Sequence, residues 1–140
     1  MDNSKPLSSF NMARLVFLAI SLVALAYHGL ILSGLVDYRY AWGGRLPDRA
    51  AMFRMEGISV ALQLAFMALV AFAVPRAGGR ASRVVLGAVL AAMALLFLLN
   101  TVGNLAAVSA FEKWAFTPLT FIAALCCGRM ALGLLRKPAA

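Results

Sequence analysis

Four apolar runs, 15–36, 57–74, 84–108 and 116–134, each hold close to the ~20 residues a helix needs to cross about 30 Å of hydrocarbon. An apolar segment in lipid must satisfy its own backbone groups, and none of the runs shows the period-two alternation of a barrel strand, so each is expected to be a helix. Composition agrees. Of 140 residues, 64% are apolar and 13% charged, with a mean hydropathy of +0.90, too few polar groups to coat a soluble domain. The chain is therefore read as a single membrane domain, 1–140, folded as an all-α antiparallel four-helix transmembrane bundle.

The connections carry turn residues. Tyr40-Ala-Trp-Gly-Gly-Arg-Leu-Pro47 separates the first two runs and Pro75-Arg-Ala-Gly-Gly-Arg80 the next two. The third connection leaves two helix starts open: Ser109-Ala-Phe-Glu112 reads as a capping box, which would place Pro118 inside the fourth helix, whereas Thr117 as N-cap would place Pro118 at its first position. The Ala24-Leu-Ala26 triplet suggests a signal-peptidase site, but the apolar stretch runs on to residue 36, too long for a signal core, so the first run is read as a span.

Lys5, Arg14, Arg76, Arg80, Arg83, Arg129, Arg136 and Lys137 fall on the side holding both termini, eight against the five of Arg39, Arg45, Arg49, Arg54 and Lys113. The positive-inside rule then places both termini in the cytoplasm. A net charge of +8 divided between two membrane faces suits anionic lipid and argues against nucleic acid.

Depth sorts the polar residues. At ~1.5 Å per helical residue, His28 lies about 12 Å below the outer end of the first run, Gln63 about 9 Å below that of the second, and Asn104 and Asn100 about 7 and 13 Å below that of the third. Thr117 and Thr120 open the fourth run from the same side, so all of these occupy the outer half while the inner halves are apolar. Asn100 and Asn104 are i,i+4, and Glu56 and Gln63 are i,i+7, so each pair shares one helix face. Side-chain amides in hydrocarbon turn toward the bundle interior, and the stripes are expected to converge on an outward-opening polar pocket with His28, Glu56, Gln63, Asn100, Asn104 and Thr120 as ligand contacts. Asp37, Trp42, Arg45, Glu112 and Lys113 would form its mouth, and Gly43-Gly44 would bring backbone close to a ligand or simply permit a turn.

Each of these residues also has a plainer reading. Amides, Thr and His between membrane helices serve as hydrogen-bond glue at ~0.6 kcal/mol per contact. Glu56 and Glu112 sit near the interface, where Arg54 and Lys113 could pair with them as ordinary surface charges. Tyr38, Tyr40, Trp42 and Trp114 suit an interfacial aromatic belt, and Arg129 suits a side chain snorkelling to the inner surface. Cys126 and Cys127, adjacent with no second pair, read as apolar filler, and one His with scattered carboxylates implies neither a metal site nor a cofactor.

Ala41-Trp-Gly-Gly-Arg-Leu46, Asn100-Thr-Val-Gly-Asn104 and Glu112-Lys-Trp-Ala-Phe-Thr-Pro-Leu-Thr120 together resemble a family of small, uncharacterised bacterial four-span membrane proteins. The resemblance covers most of the chain and includes a His in the first span and a Glu opening the second, matching His28 and Glu56. It departs at Asp37-Tyr-Arg-Tyr40, which stands where the family has a Pro-containing stretch. It implies which residues to watch and brings no activity.

Three functions follow as expectations. The first is a pocket that binds or helps move a small solute or lipid headgroup. The second is a membrane enzyme acting on a lipid or quinone-like substrate with His28 and Glu56 as acid and base. The third is a structural subunit of a membrane complex. Gly87-x-x-x-Ala91 and Ala88-x-x-x-Ala92 offer small-residue surfaces for a homodimer.

Overall fold

A computed structural model describes residues 8–136; Lys5 and Lys137, counted above toward orientation, lie outside them. The described residues form four helices and no strand: α1 Ser9–Leu32, α2 Arg49–Ala68, α3 Arg80–Leu105 and α4 Thr117–Leu135. α2 continues through a π-helical turn, Leu69–Ala73, and a 3-10 turn, Val74–Arg76, while α4 is preceded by a π-helical turn, Glu112–Phe116. All four resulting stretches are long and apolar enough to cross a membrane.

The first two helices start before their apolar runs because their caps lie in the polar flanks. Ser8 Oγ accepts the Asn11 N–H at 3.3 Å, and Asp48 Oδ1 accepts the Ala51 N–H at 2.7 Å. The fourth opens at Ser109, whose Oγ accepts the Glu112 N–H at 3.4 Å and whose carbonyl accepts the Lys113 N–H at 3.1 Å. Thr117 is thus interior to the helical stretch, not its cap. Pro118 lacks an N–H and its ring crowds the carbonyl four residues back, and the π turn directly before it widens the helix to accommodate this.

Pro75 repeats the arrangement, with the π turn Leu69–Ala73 ahead of it. Here the disturbed carbonyls find a donor in another helix. Arg14 Nε donates to the Val70 carbonyl at 3.3 Å and its Nη2 to that of Ala71 at 3.5 Å, so a residue expected to be a flanking charge stitches α1 to α2. Arg129 behaves similarly, its guanidinium donating to Ser9 Oγ at 2.6 Å and fixing the end of α4 beside the start of α1.

α1 lies against α2 and α4, and α3 lies against α4 in the closest pairing of the bundle. α2 and α3 face one another without a comparable backbone approach. Phe17, Val70, Leu90, Met93, Phe97 and Met130 anchor a core that fills the half nearer the termini, with the free thiols of Cys126 and Cys127 inside it. Between helices in lipid such packing is van der Waals contact, which rewards small residues that let backbones close. A Cβ on Gly87 would lie 2.8 Å from Leu135 Cγ, and one on Gly133 2.6 Å from Phe10 Cδ2. Gly87, expected on a dimer surface, therefore packs inside the protomer. A smaller cluster of Ile31, Ala41 and Met52 lies beneath the first loop, and the two clusters bracket an unfilled space.

Candidate functional site

That space is a cavity of about 210 Å³, to which all four helices and the first loop contribute. α1 supplies Tyr27 and His28, and α2 supplies Glu56, Ser59 and Gln63. α3 supplies Asn100 and Asn104, α4 supplies Thr120, and Glu112 comes from the π turn before α4. The six residues expected as ligand contacts thus line one space, together with two of the five expected at its mouth, Trp42 and Glu112. The rings of Phe66 and Phe97 meet across it at 6.2 Å on the side toward the larger core.

Glu56 is the most enclosed polar residue of the site, 0% exposed. Its Oε2 lies 2.5 Å from His28 Nδ1 and its Oε1 accepts the indole N–H of Trp42 at 2.8 Å. Glu56 is therefore not a solvated interfacial charge paired with Arg54, the plainer reading of the sequence. A Glu in the second turn of α2 is buried because the first loop folds over it, bringing a donor from fourteen residues upstream. With Nδ1 committed to Glu56, Nε2 of His28 has no protein partner among the described residues.

Glu112 is 7% exposed, and it too departs from the surface reading. Its Oε2 accepts the Gly43 N–H at 2.9 Å. In a capping box the same carboxylate would turn back to its own helix start, so the loop has captured it. Adjacent residues, Trp42 and Gly43, thus hold one buried carboxylate each. The backbone conformation that allows this is unusual: Trp42 has φ +55°, followed by Gly43 at +70° and Gly44 at +73°. A left-handed conformation is cheap for the two glycines and uncommon for Trp, which tertiary contacts must hold in place. The Gly43-Gly44 pair is accordingly a turn that delivers an N–H to Glu112.

Thr120 is consumed within the protein. Its hydroxyl donates to the Phe116 carbonyl at 2.8 Å and accepts from Thr101 Oγ1 at 2.9 Å and from Asn104 Nδ2 at 3.3 Å. Thr101, buried and not singled out by the sequence reading, joins this α3–α4 tie centred on Thr120; its position inside Asn100-Thr-Val-Gly-Asn104 was the available signal. Asn100 and Gln63 have no hydrogen-bond partner among the described residues, and their amides are open to the cavity.

Three residues expected at the mouth lie elsewhere. Asp37 caps its own turn, accepting from Arg39 N at 2.9 Å and from the Arg39 guanidinium at 2.6 Å, on a separate surface groove with Arg49 and Phe53. That guanidinium holds the Asp37 carboxyl down to about 2. Arg45 Nη2 donates to the Ala106 carbonyl at 3.2 Å, clamping the loop to the end of α3. Lys113 does not line the cavity.

The lining is therefore rich in acceptors and poor in positive charge. Two carboxylates and one imidazole are present, no lining residue is Lys or Arg, and the remaining walls are mostly aromatic or aliphatic. Among the described residues, no three His, Cys, Asp or Glu are grouped to hold a metal ion. Neither a family model, nor a curated protein, nor a solved structure matches this chain.

Proposed function

We propose that this integral membrane protein binds a small solute or a lipid headgroup in the cavity, and that it does so in a bacterial inner membrane with the cavity in the outer half of the bundle. The observation that carries the reading is Glu56, held fully buried by His28 and Trp42 beside two amides, Gln63 and Asn100, that no protein group satisfies. Bundle stability alone does not call for such a set. A buried charge pair is commonly no more stabilising than apolar residues of the same volume, and amides open to a membrane cavity are an expense that a ligand would offset. Orientation rests on the Lys and Arg distribution, and the bacterial setting on the resemblance of the Trp-Gly-Gly and Asn-Thr-Val-Gly-Asn elements.

Binding fits better than conduction, because Phe17, Leu90, Met93 and Phe97 fill the half of the bundle below the cavity. The decisive experiment is a high-resolution map of the protein in a lipid nanodisc, with mass spectrometry of what the purified protein retains. Non-protein density beside Asn100, matched by a retained molecule, is the expected result. A cavity holding water only, with nothing retained, would leave the polar residues as hydrogen-bond glue.

The His28–Glu56 bond favours a second reading, a membrane enzyme. Both Glu56 oxygens are engaged, so in that case Glu56 would position the ring and Nε2 of His28 would exchange the proton with substrate.

A further inference from the structure

Resting on the binding function proposed above, the charge of the cavity narrows what it takes. Glu56 and Glu112 both line it and both are more than nine-tenths buried, while His28 is the one lining side chain able to carry a positive charge. If His28 is protonated it neutralises Glu56, at 2.5 Å, and Glu112 has no counter-charge. Among the described residues, the only groups that reach the Glu112 carboxylate are uncharged backbone donors of the first loop, the Gly43 N–H at 2.9 Å and the N–H of Trp42 beside it. An ionised carboxylate in such surroundings is costly unless a cation or a proton joins it. An anionic headgroup would add to the repulsion, with no guanidinium or ammonium to receive it.

Aromatic rings complete the surroundings. Tyr27, Trp42, Phe66, Phe97 and Phe116 all line the cavity, and ring faces beside a carboxylate suit ammonium groups. The volume, about 210 Å³, holds a head the size of one ring or one trimethylammonium group and no long chain. The cavity is also bounded on the α2–α3 side by residues that are not closed over by protein: Leu62 is 46% and Leu96 38% exposed, and Asn100 is exposed beside them. It is there that the two helices lack a close backbone approach.

We infer that the ligand is a lipophilic amine or quaternary ammonium whose cationic head seats between Glu112 and the aromatic walls, with its apolar tail passing into the bilayer between α2 and α3.

The test uses the full chain in nanodiscs of uncharged lipid, carrying Trp114→Phe so that Trp42 is the one remaining tryptophan and is excited selectively. Dodecyltrimethylammonium is titrated below its micellar concentration, with dodecanol and dodecanoate as uncharged and anionic counterparts and benzyltrimethylammonium as a short cation. Saturable change in Trp42 emission with both cations is expected, with affinity for either lowered tenfold or more by Glu112→Gln. Leu62→Phe combined with Leu96→Phe should weaken the dodecyl cation and leave the benzyl one unchanged. Saturable binding of dodecanol equal to that of the cation, or cation affinity unmoved by Glu112→Gln, overturns the inference while leaving a binding cavity. A non-saturable response is bilayer partitioning and also overturns it. Absence of binding by every probe, together with a water-filled cavity in the map, removes the binding function itself.

Discussion

The indole N–H of Trp42 and the carboxylate of Glu56 meet at 2.8 Å, and this bond ties a surface loop down over a wholly buried acid. Trp42 is 42% exposed, so its ring spans from the bundle surface to a carboxylate that is wholly enclosed. The neighbouring Gly43 N–H does the same for Glu112 at 2.9 Å, so a two-residue segment orders both acids.

Replacing Trp42 with Phe keeps a ring in the roof and removes the donor. A hydrogen bond to a charged group contributes about 1.5–3 kcal/mol, and its loss here strands one oxygen of a buried carboxylate. Thermal unfolding in detergent should show Trp42→Phe less stable by an amount in that range. Equal stability of Trp42→Phe and the parent would mean the indole serves only as a belt residue.

His28 and Glu56 should be strongly non-additive. His28→Ala leaves the buried Glu56 oxygen without its imidazole partner and is expected to cost about 1–3 kcal/mol. Glu56→Gln with His28→Ala together should cost less than His28→Ala alone, because no buried charge remains. A double-mutant cycle read by chemical unfolding measures this, and additive losses would count against a coupled pair.

The two glycines of the first loop should respond in a set order. Gly43→Ala places a Cβ no nearer than 3.7 Å to any atom, so its cost is the left-handed conformation alone, about 1–2 kcal/mol. Gly44→Ala adds a contact of 3.3 Å with the Arg39 carbonyl and should be the more destabilising of the two. Unfolding midpoints of the two variants compared side by side give the answer.

The first loop should keep its Asp37–Arg39 pair at all but extreme acidity. The folded carboxyl titrates at about 2 against an ordinary 3.8, so the pair is present above about pH 4 and is lost as pH falls through about 2. A carboxyl titration of Asp37 by NMR should show that depressed midpoint, and Arg39→Ala should return it toward 3.8.

Much of this protein is written locally. Run length and hydropathy determine four membrane helices, because a backbone in lipid has no other way to satisfy its polar groups. Helical periodicity puts Asn100 with Asn104 and Glu56 with Gln63, each pair on one helix face, and these faces meet at one cavity, which is why six residues chosen by depth and spacing line it. What those residues do to each other is decided by packing. Nothing near Glu56 in the chain says that it is buried, since its donors come from His28 and Trp42, on a different helix and a loop. Thr120 reads as a free hydroxyl until Thr101 and Asn104 are brought against it from α3. Asp37 and Trp42, five residues apart in one loop, part company, one folding onto its own Arg39 at the surface and the other inward. Spacing along a chain reports which face of its own helix a residue occupies, whereas a hydrogen bond between helices depends on how those helices are set against one another, and that was settled only when the four spans and their first loop packed together.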